Sequence, residues 1–191
     1  MSGCWAPAAD PLLSDYHDVE WGRPVASRDA LFERMSLEGF QSGLSWRTVL
    51  AKRPAFREVF AQFDPAVVAA FGPDDVERLM GDARIIRNRR KIEAVLTNAR
   101  LLLDLGEDFV RLVWSHEPAP QPAPATLADV PATRPEAVAL SKALRRRGFA
   151  FVGPVTVYAG MQACGLVDDH VADCPVRDAV ERERAAFVRP T

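Results

Sequence analysis

With 191 residues, 48% of them hydrophobic, the chain can build one sizeable core or two small lobes sharing an interface, and a single enzyme-sized unit is expected. Its 24 basic and 26 acidic residues leave a net charge of −2, so overall charge by itself points to no polyanionic partner. No apolar run reaches the length of a membrane span, the N-terminus lacks the basic and apolar regions of a signal peptide, and the scattered Cys4, Cys164 and Cys174 make no disulfide framework; an intracellular protein of the bacterial cytoplasm, with no membrane partner, is the expectation.

Residues 1–26 mix Cys4, Trp5, Tyr16, His17, Glu20 and Trp21 with no helical or strand period, which implies a segment folded over a core or a ligand. Ser27 is placed to cap a helix carrying Leu31, Phe32, Met35 and Leu37. That helix runs into Glu38-Gly39-Phe40-Gln41-Ser42-Gly43-Leu44-Ser45-Trp46, which sets a carboxylate, an amide, two glycines and an indole close together. Gly39 and Gly43 allow close approaches and unusual backbone angles, so these side chains can converge on one small space. A flat ligand with polar edges suits them, with Trp46 on its face and Glu38 and Gln41 on its rim; a helix end with one structural tryptophan accounts for the same residues equally well. Pro54 then suits a first helical position, with Phe56, Val59, Phe60 and Phe63 at near-helical spacing. Asp64-Pro65 starts a short helix closed by Gly72-Pro73, and Asp74 and Asp75 open another that ends near Gly81.

The longest apolar stripe is Ile92, Val95, Leu96, Ala99, Leu102 and Leu103, a helix approached through the basic cluster Arg84, Arg87, Arg89, Arg90 and Lys91. A short helix through Phe109, Leu112, Val113 and Trp114 follows. Residues 117–135, rich in proline and alanine, read as an extended surface connection with no sign of binding anything. Ala139, Leu140, Ala143 and Leu144 resume the helical pattern, which stops at Gly148 and restarts at Pro154. Amide N–H groups of such a turn can face an anion, with Arg145, Arg146 and Arg147 nearby, and would grip a phosphate without reading a base; an ordinary helix connection has the same pattern. Residues 177–191 form a charged, frayable tail or terminal helix. No period-two pattern persists, so the fold class is all-α.

Cys4 and His17 near one end, with His170 and Cys174 spaced i, i+4 near the other, offer the two nitrogens and two sulfurs of a tetrahedral zinc site. Buried thiols and incidental histidines are the other reading. Cys164 reads as core and His116 as surface.

Several separate runs together resemble the type I 3-methyladenine DNA glycosylases of the helix-hairpin-helix superfamily. They are Asp10-Pro11-Leu12, Tyr16-His17-Asp18-Val19-Glu20-Trp21-Gly22, Leu37 through Trp46, Lys52-Arg53, Ile85-Ile86-Arg87-Asn88-Arg89 with Lys91-Ile92, Gly148-Phe149 with Phe151-Val152-Gly153-Pro154, and Met161-Gln162-Ala163 through Gly165-Leu166-Val167 to Asp169-His170 and Cys174. The resemblance implies one glycosylase unit over residues 1–176, with the hairpin around 139–164 and a structural zinc held by Cys4, His17, His170 and Cys174 that ties the termini together. It also implies that Glu38 and Tyr16 bind the edge of the excised base, with Trp46 on its face and Trp21 walling the pocket. Gln41, Gly43 and Leu44 would lie toward the lesion, and Gly148, Gly153 and Arg145 would contact DNA. Trp5 follows Cys4 directly where the family usually has one residue between, and Asp168 stands where asparagine is usual. Asp169, beside His170, is expected to orient a zinc ligand.

The implied activity is monofunctional: a monomer flips N3-methyladenine out of alkylated double-stranded DNA and hydrolyses its glycosidic bond, leaving an abasic site and free 3-methyladenine. No lysine follows Lys142 to serve as a Schiff-base nucleophile after the hairpin. A catalytically silent, zinc-stabilised DNA-binding module is the alternative, and a pocket for a nucleobase-like small molecule is a third reading.

Overall fold

A computed structural model describes residues 4–190, and every regular element among them is helical. The helices are α1 (Pro11–Val19), α2 (Arg28–Gln41), α3 (Trp46–Val59), α4 (Pro65–Ala69), α5 (Pro73–Gly81), α6 (Arg89–Leu105), α7 (Asp108–Trp114), α8 (Pro135–Arg146), α9 (Pro154–Ala163) and α10 (Arg177–Ala186). Short 3-10 turns cover Ala61–Phe63 and Leu127–Asp129. None of these helices is long and apolar enough to cross a membrane.

The starts of the helices follow their capping residues. Ser27 accepts the Ala30 N–H, Asp64 accepts the Ala66 N–H at 2.8 Å, and Asn88 accepts the Lys91 N–H at 3.2 Å. Pro54 does not begin a helix. It lies inside α3, because Ser45 accepts the Thr48 N–H at 3.2 Å and starts that helix well before the proline. Phe63 also leaves the simple helical pattern: Ala61, Gln62 and Phe63 all take positive φ, a left-handed turn that stacks Phe63 on Phe60 with ring centroids 5.4 Å apart. The core lies where the apolar faces of α2, α3, α6, α8 and α9 meet, around Leu31, Phe40, Phe56, Phe60, Ile92 and Leu102, all essentially without solvent contact.

The chain's end is docked and not frayed. Val180 on α10 is fully buried, Arg184 donates to the carbonyls of Gly165 and Leu166, Phe187 packs on Trp114 with centroids 4.6 Å apart, and Arg189 pairs with Glu117 at 2.9 Å. Single apolar residues within a charged stretch, with arginines that find carbonyl and carboxylate partners, hold it.

A buried ion network joins three segments. Glu33 on α2 accepts from Arg53 and Arg57 on α3, each at 2.7 Å, and Arg53 also reaches Glu20, just after α1, at 2.8 Å. Burial alone would raise the Glu33 carboxyl, but hydrogen bonds from Arg57 and Arg53 more than offset it and hold the acid below its ordinary range. With its folded pKa depressed, Glu33 stabilises the fold above about pH 4.5, and that contribution is lost as pH falls through the depressed value. Glu33→Gln should destabilise the protein by about 3 kcal/mol at pH 7, because it removes the negative charge that two guanidinium groups share and puts a donor N–H where one of the acceptor oxygens stood. Denaturant unfolding at pH 7 checks this, and a loss under about 1 kcal/mol would show that the network contributes little.

Candidate active site

The ends of α1, α2 and α3, held together by that network, surround a cavity of about 410 Å³. Tyr16 enters it from α1, Glu38 and Gln41 from the last turn of α2, and Trp46 from the first residue of α3, while Trp21 and Trp5 close one side. The rings lean on one another: Tyr16 and Trp46 have centroids 5.2 Å apart, Trp5 and Trp21 5.5 Å, and Trp5 and Tyr16 6.2 Å. Such mutual tilting fixes each ring plane and keeps the slot from collapsing. Trp5 lines the slot despite its altered spacing from Cys4.

Glu38 is buried with no compensating partner, and desolvation alone pushes its carboxyl up from 4.5 to about 8. Tyr16 is buried beside it; burial first and the negative charge of Glu38 second hold its phenol well above the ordinary value. An acid kept neutral in an aromatic slot is poised to ionise when a cation arrives.

The far wall was not foreseen from sequence. Ala159 and Gln162 on α9, Asp169 after it, and Leu127 and Val130 from the proline-rich connection complete the cavity. The connection is therefore part of the site, its Leu127–Asp129 turn fastened by Thr126 N–H and Oγ1 donating to Asp129. Asp169 is 3% exposed, and its Oδ2 accepts from Tyr158 Oη at 2.5 Å and Gln162 Nε2 at 2.8 Å. It does not orient His170. Asp168 does that, accepting from His170 N–H at 3.0 Å and lying 2.6 Å from His170 Nδ1.

Cys4, His17 and Cys174 form one cluster whose ligand atoms lie within 4.8 Å of one another. His170 is not one of that trio, though its ring meets His17 edge-on with centroids 4.6 Å apart. The two imidazoles share one arrangement: His17 Nδ1 is paired with Asp18 at 2.7 Å and His170 Nδ1 with Asp168, which turns each Nε2 toward the sulfurs or leaves it free. His170 Nε2 is buried with no hydrogen-bond partner.

Outside the cavity, Gly43 and Leu44 stand beside Gln41 on an exposed turn, with Gly43 at φ +82°. Gly148 takes φ +93° in the turn between α8 and α9, but Gly153 is extended, and Phe151 carries the second left-handed angle at φ +55°. Arg145 lies over Gly153, where a Cβ would meet its Nη2 at 3.5 Å. The basic cluster before α6 is largely committed to acids and carbonyls: Arg84 to Asp82 and Glu58, Arg89 to Glu77, and Lys91 to two backbone oxygens.

A family model described as methyladenine glycosylase matches residues 5–178. The chain belongs to the methyladenine glycosylase family. DNA-3-methyladenine glycosylase 1 of Escherichia coli is 51% identical over 180 residues, covering 91% of this chain and 96% of that protein. Among solved structures, a crystal structure of 3-methyladenine DNA glycosylase I superposes with a TM-score of 0.87 at 46% identity, over 92% of this chain and 98% of the other. A Staphylococcus aureus 3-methyladenine DNA glycosylase I, solved for the structural basis of 3-methyladenine recognition, superposes at 0.84 with 37% identity, over 88% and 92% of the two chains.

In this methyladenine glycosylase the raised Glu38 pKa fixes a pH dependence. The folded state keeps a proton that the unfolded chain gives up above about 4.5, so the stability linked to it is full below that pH and is lost as pH rises toward about 8. Glu38→Gln removes the ionisation. The variant should gain on wild type by a few kcal/mol between pH 5 and pH 8.5. Parallel pH–stability curves for the two proteins would rule out the buried, uncompensated acid.

Proposed function

We propose that this chain is a DNA-3-methyladenine glycosylase that takes N3-methyladenine, swung out of duplex DNA, into the slot of Tyr16, Trp21, Glu38 and Trp46. The single observation that supports it best is the buried Glu38 carboxyl facing an aromatic cavity. Alkylation gives the adenine ring a positive charge, so the base is already a good leaving group. When the bond from C1′ to N9 breaks, its electron pair neutralises the base, the sugar is left cationic, and water adds at C1′ and gives up a proton. Recognition of the cation is then most of what the protein must supply.

Trp46 stacks on the ring face, and the cation–π attraction adds about 0.5–2 kcal/mol. Glu38, ionised by the arriving charge, takes a charge-assisted hydrogen bond at the ring edge. Normal adenine lacks the charge and keeps its pairing, which makes it costlier to extrude by a few kcal/mol. We assign a monofunctional hydrolysis that leaves an abasic site; among the described residues the cavity lining offers acids, amides and aromatic rings.

The turn between α8 and α9, with Arg145 beside it, is the part we assign to the DNA backbone as a helix-hairpin-helix, and Leu44 at the tip of the Gln41–Leu44 turn fills the gap left by the flipped nucleotide. Cys4, His17, His170 and Cys174 suit a structural zinc by their chemistry: two sulfurs, and two imidazoles each held at Nδ1 by a carboxylate, as zinc-bound histidines usually are. Bound there, the ion would join the N-terminal segment to the turn before α10. The work is that of a monomer in the bacterial cytoplasm, where alkylated DNA is its partner.

Wild-type protein should release 3-methyladenine from methylated duplex DNA, and Trp46→Ala should lower kcat/KM roughly ten- to a hundredfold through lost stacking. A Trp46→Ala, Glu38→Ala double variant that kept full activity would remove the slot from the mechanism. Purified protein should also carry about one zinc per chain, and Cys174→Ser should lose both the metal and thermal stability; a metal-free protein with unchanged melting would refute the zinc assignment.

A further inference from the structure

Helix α6 holds both pieces of the surface that the proposed function turns toward DNA. Near its start Lys91 is buried, and its Nζ donates to the Phe40 carbonyl at 2.8 Å and the Ser42 carbonyl at 2.6 Å. Carbonyls at a helix C-terminus lack partners within the helix, so Lys91 supplies from a distant element what α2 cannot supply itself. The two acceptors bracket Gln41. The turn beyond then closes on itself, Leu44 N–H donating to Gln41 O at 2.7 Å and the Gln41 amide to Leu44 O at 2.9 Å, with Leu44 left 41% exposed at the tip.

Asn98 lies seven residues further along α6, two turns on and on the same face. Its side-chain amide clasps Ala150, with Nδ2 donating to the Ala150 carbonyl at 3.0 Å and Oδ1 accepting the Ala150 N–H at 2.9 Å. Ala150 belongs to the turn between α8 and α9 and precedes Phe151, whose left-handed backbone shapes that turn. The last turn of α2 also adjoins the α8–α9 turn directly, since a Cβ on Gly39 would meet Phe151 Cβ at 3.5 Å.

Neither side chain suits direct chemistry. Lys91 is buried with its ammonium turned to backbone carbonyls and does not line the slot, and filling space alone would be done more cheaply by an apolar residue. We infer that Lys91 and Asn98 make α6 a spacer, fixing the separation between the Leu44 tip and the α8–α9 turn so that a duplex gripped at one is entered by the other at the vacated base. Their attachment points lie about 10 Å apart along the helix axis. Both are positioning residues, and the inference rests on the proposed function.

The test compares wild type, Lys91→Met and Asn98→Ala in three measurements: release of 3-methyladenine from methylated duplex, affinity for free 3-methyladenine by tryptophan fluorescence, and affinity for a duplex carrying a tetrahydrofuran abasic analogue. Inactive wild type would sink the proposed function itself. Given active wild type, both variants should bind the free base within about twofold of it, yet lose about tenfold or more in duplex affinity and in kcat/KM, with the loss mainly in KM. Lys91→Arg, which keeps a donor on a long stem, should recover part of the loss. Unchanged duplex affinity in both variants would overturn the inference, as would equal losses for free base and duplex, the mark of general damage to the fold. If Lys91→Met fails to fold, Asn98→Ala, on a half-buried side chain, gives the same readouts.

Discussion

Glu38 sits out of water among aromatic rings with no positive charge from the protein to offset it. That is an unfavourable place for a carboxyl, and burial there is maintained by structure that the acid itself does not stabilise. The supporting structure can be followed outward. Glu38 occupies the last turn of α2, one helical turn and more beyond Glu33, and Glu33 is fastened to α3 by two arginines, one of which also reaches Glu20. The three segments that present Tyr16, Glu38 and Trp46 are thereby tied by charge at a point away from the slot. Strong electrostatics lie in the support and weak, uncompensated electrostatics in the site, the arrangement expected where a ligand is to bring the missing charge.

The same division describes where the cysteine–histidine cluster lies. Cys4, His17 on α1 and Cys174 gather segments from both halves of the chain into one cluster, and Trp5 and Trp21 lie against the His17 ring on either side of that helix in sequence. Gly22 packs beside this region, at φ +79° and with so little room that a Cβ would stand 3.0 Å from His170.

Part of the near wall of the site was legible because its residues lie close together in sequence. Glu38, Gln41 and Trp46 fall within one short stretch whose composition is odd for a helix end, and the structure brings them to one cavity. Gln162, Asp169, Leu127 and Val130 were not legible, since they reach the cavity only through the packing of α9 and of the proline-rich connection, and no local pattern sets them apart. The exchange of roles between Asp168 and Asp169 is of the same kind: the two are neighbours in sequence, and which carboxylate faces His170 and which faces Tyr158 is decided by the backbone direction after α9. The ion pairs of the basic cluster around the start of α6 were not legible for a related reason, because the acidic partners Glu58, Glu77 and Asp82 come from other elements.

In the proposed function, the raised pKa of Glu38 bears directly on how the slot would tell a cation from a neutral purine. At pH 7 an acid with a pKa of about 8 is mostly protonated, and ionising it costs about 1.4 kcal/mol, one pKa unit. A charge-assisted hydrogen bond contributes about 1.5–3 kcal/mol, so a cationic base can drive the ionisation and still gain. A neutral adenine cannot, and meets only a protonated carboxyl able to offer an ordinary hydrogen bond. Had the acid been exposed, it would be charged at all times and screened by water, and the difference between the two bases would shrink. Had it been paired with an arginine, the incoming cation would meet a charge already neutralised. Burial without a partner is therefore what makes the carboxyl responsive to the charge of the base, and it is the reason so much of the surrounding fold serves to hold one acid where it would not otherwise stay.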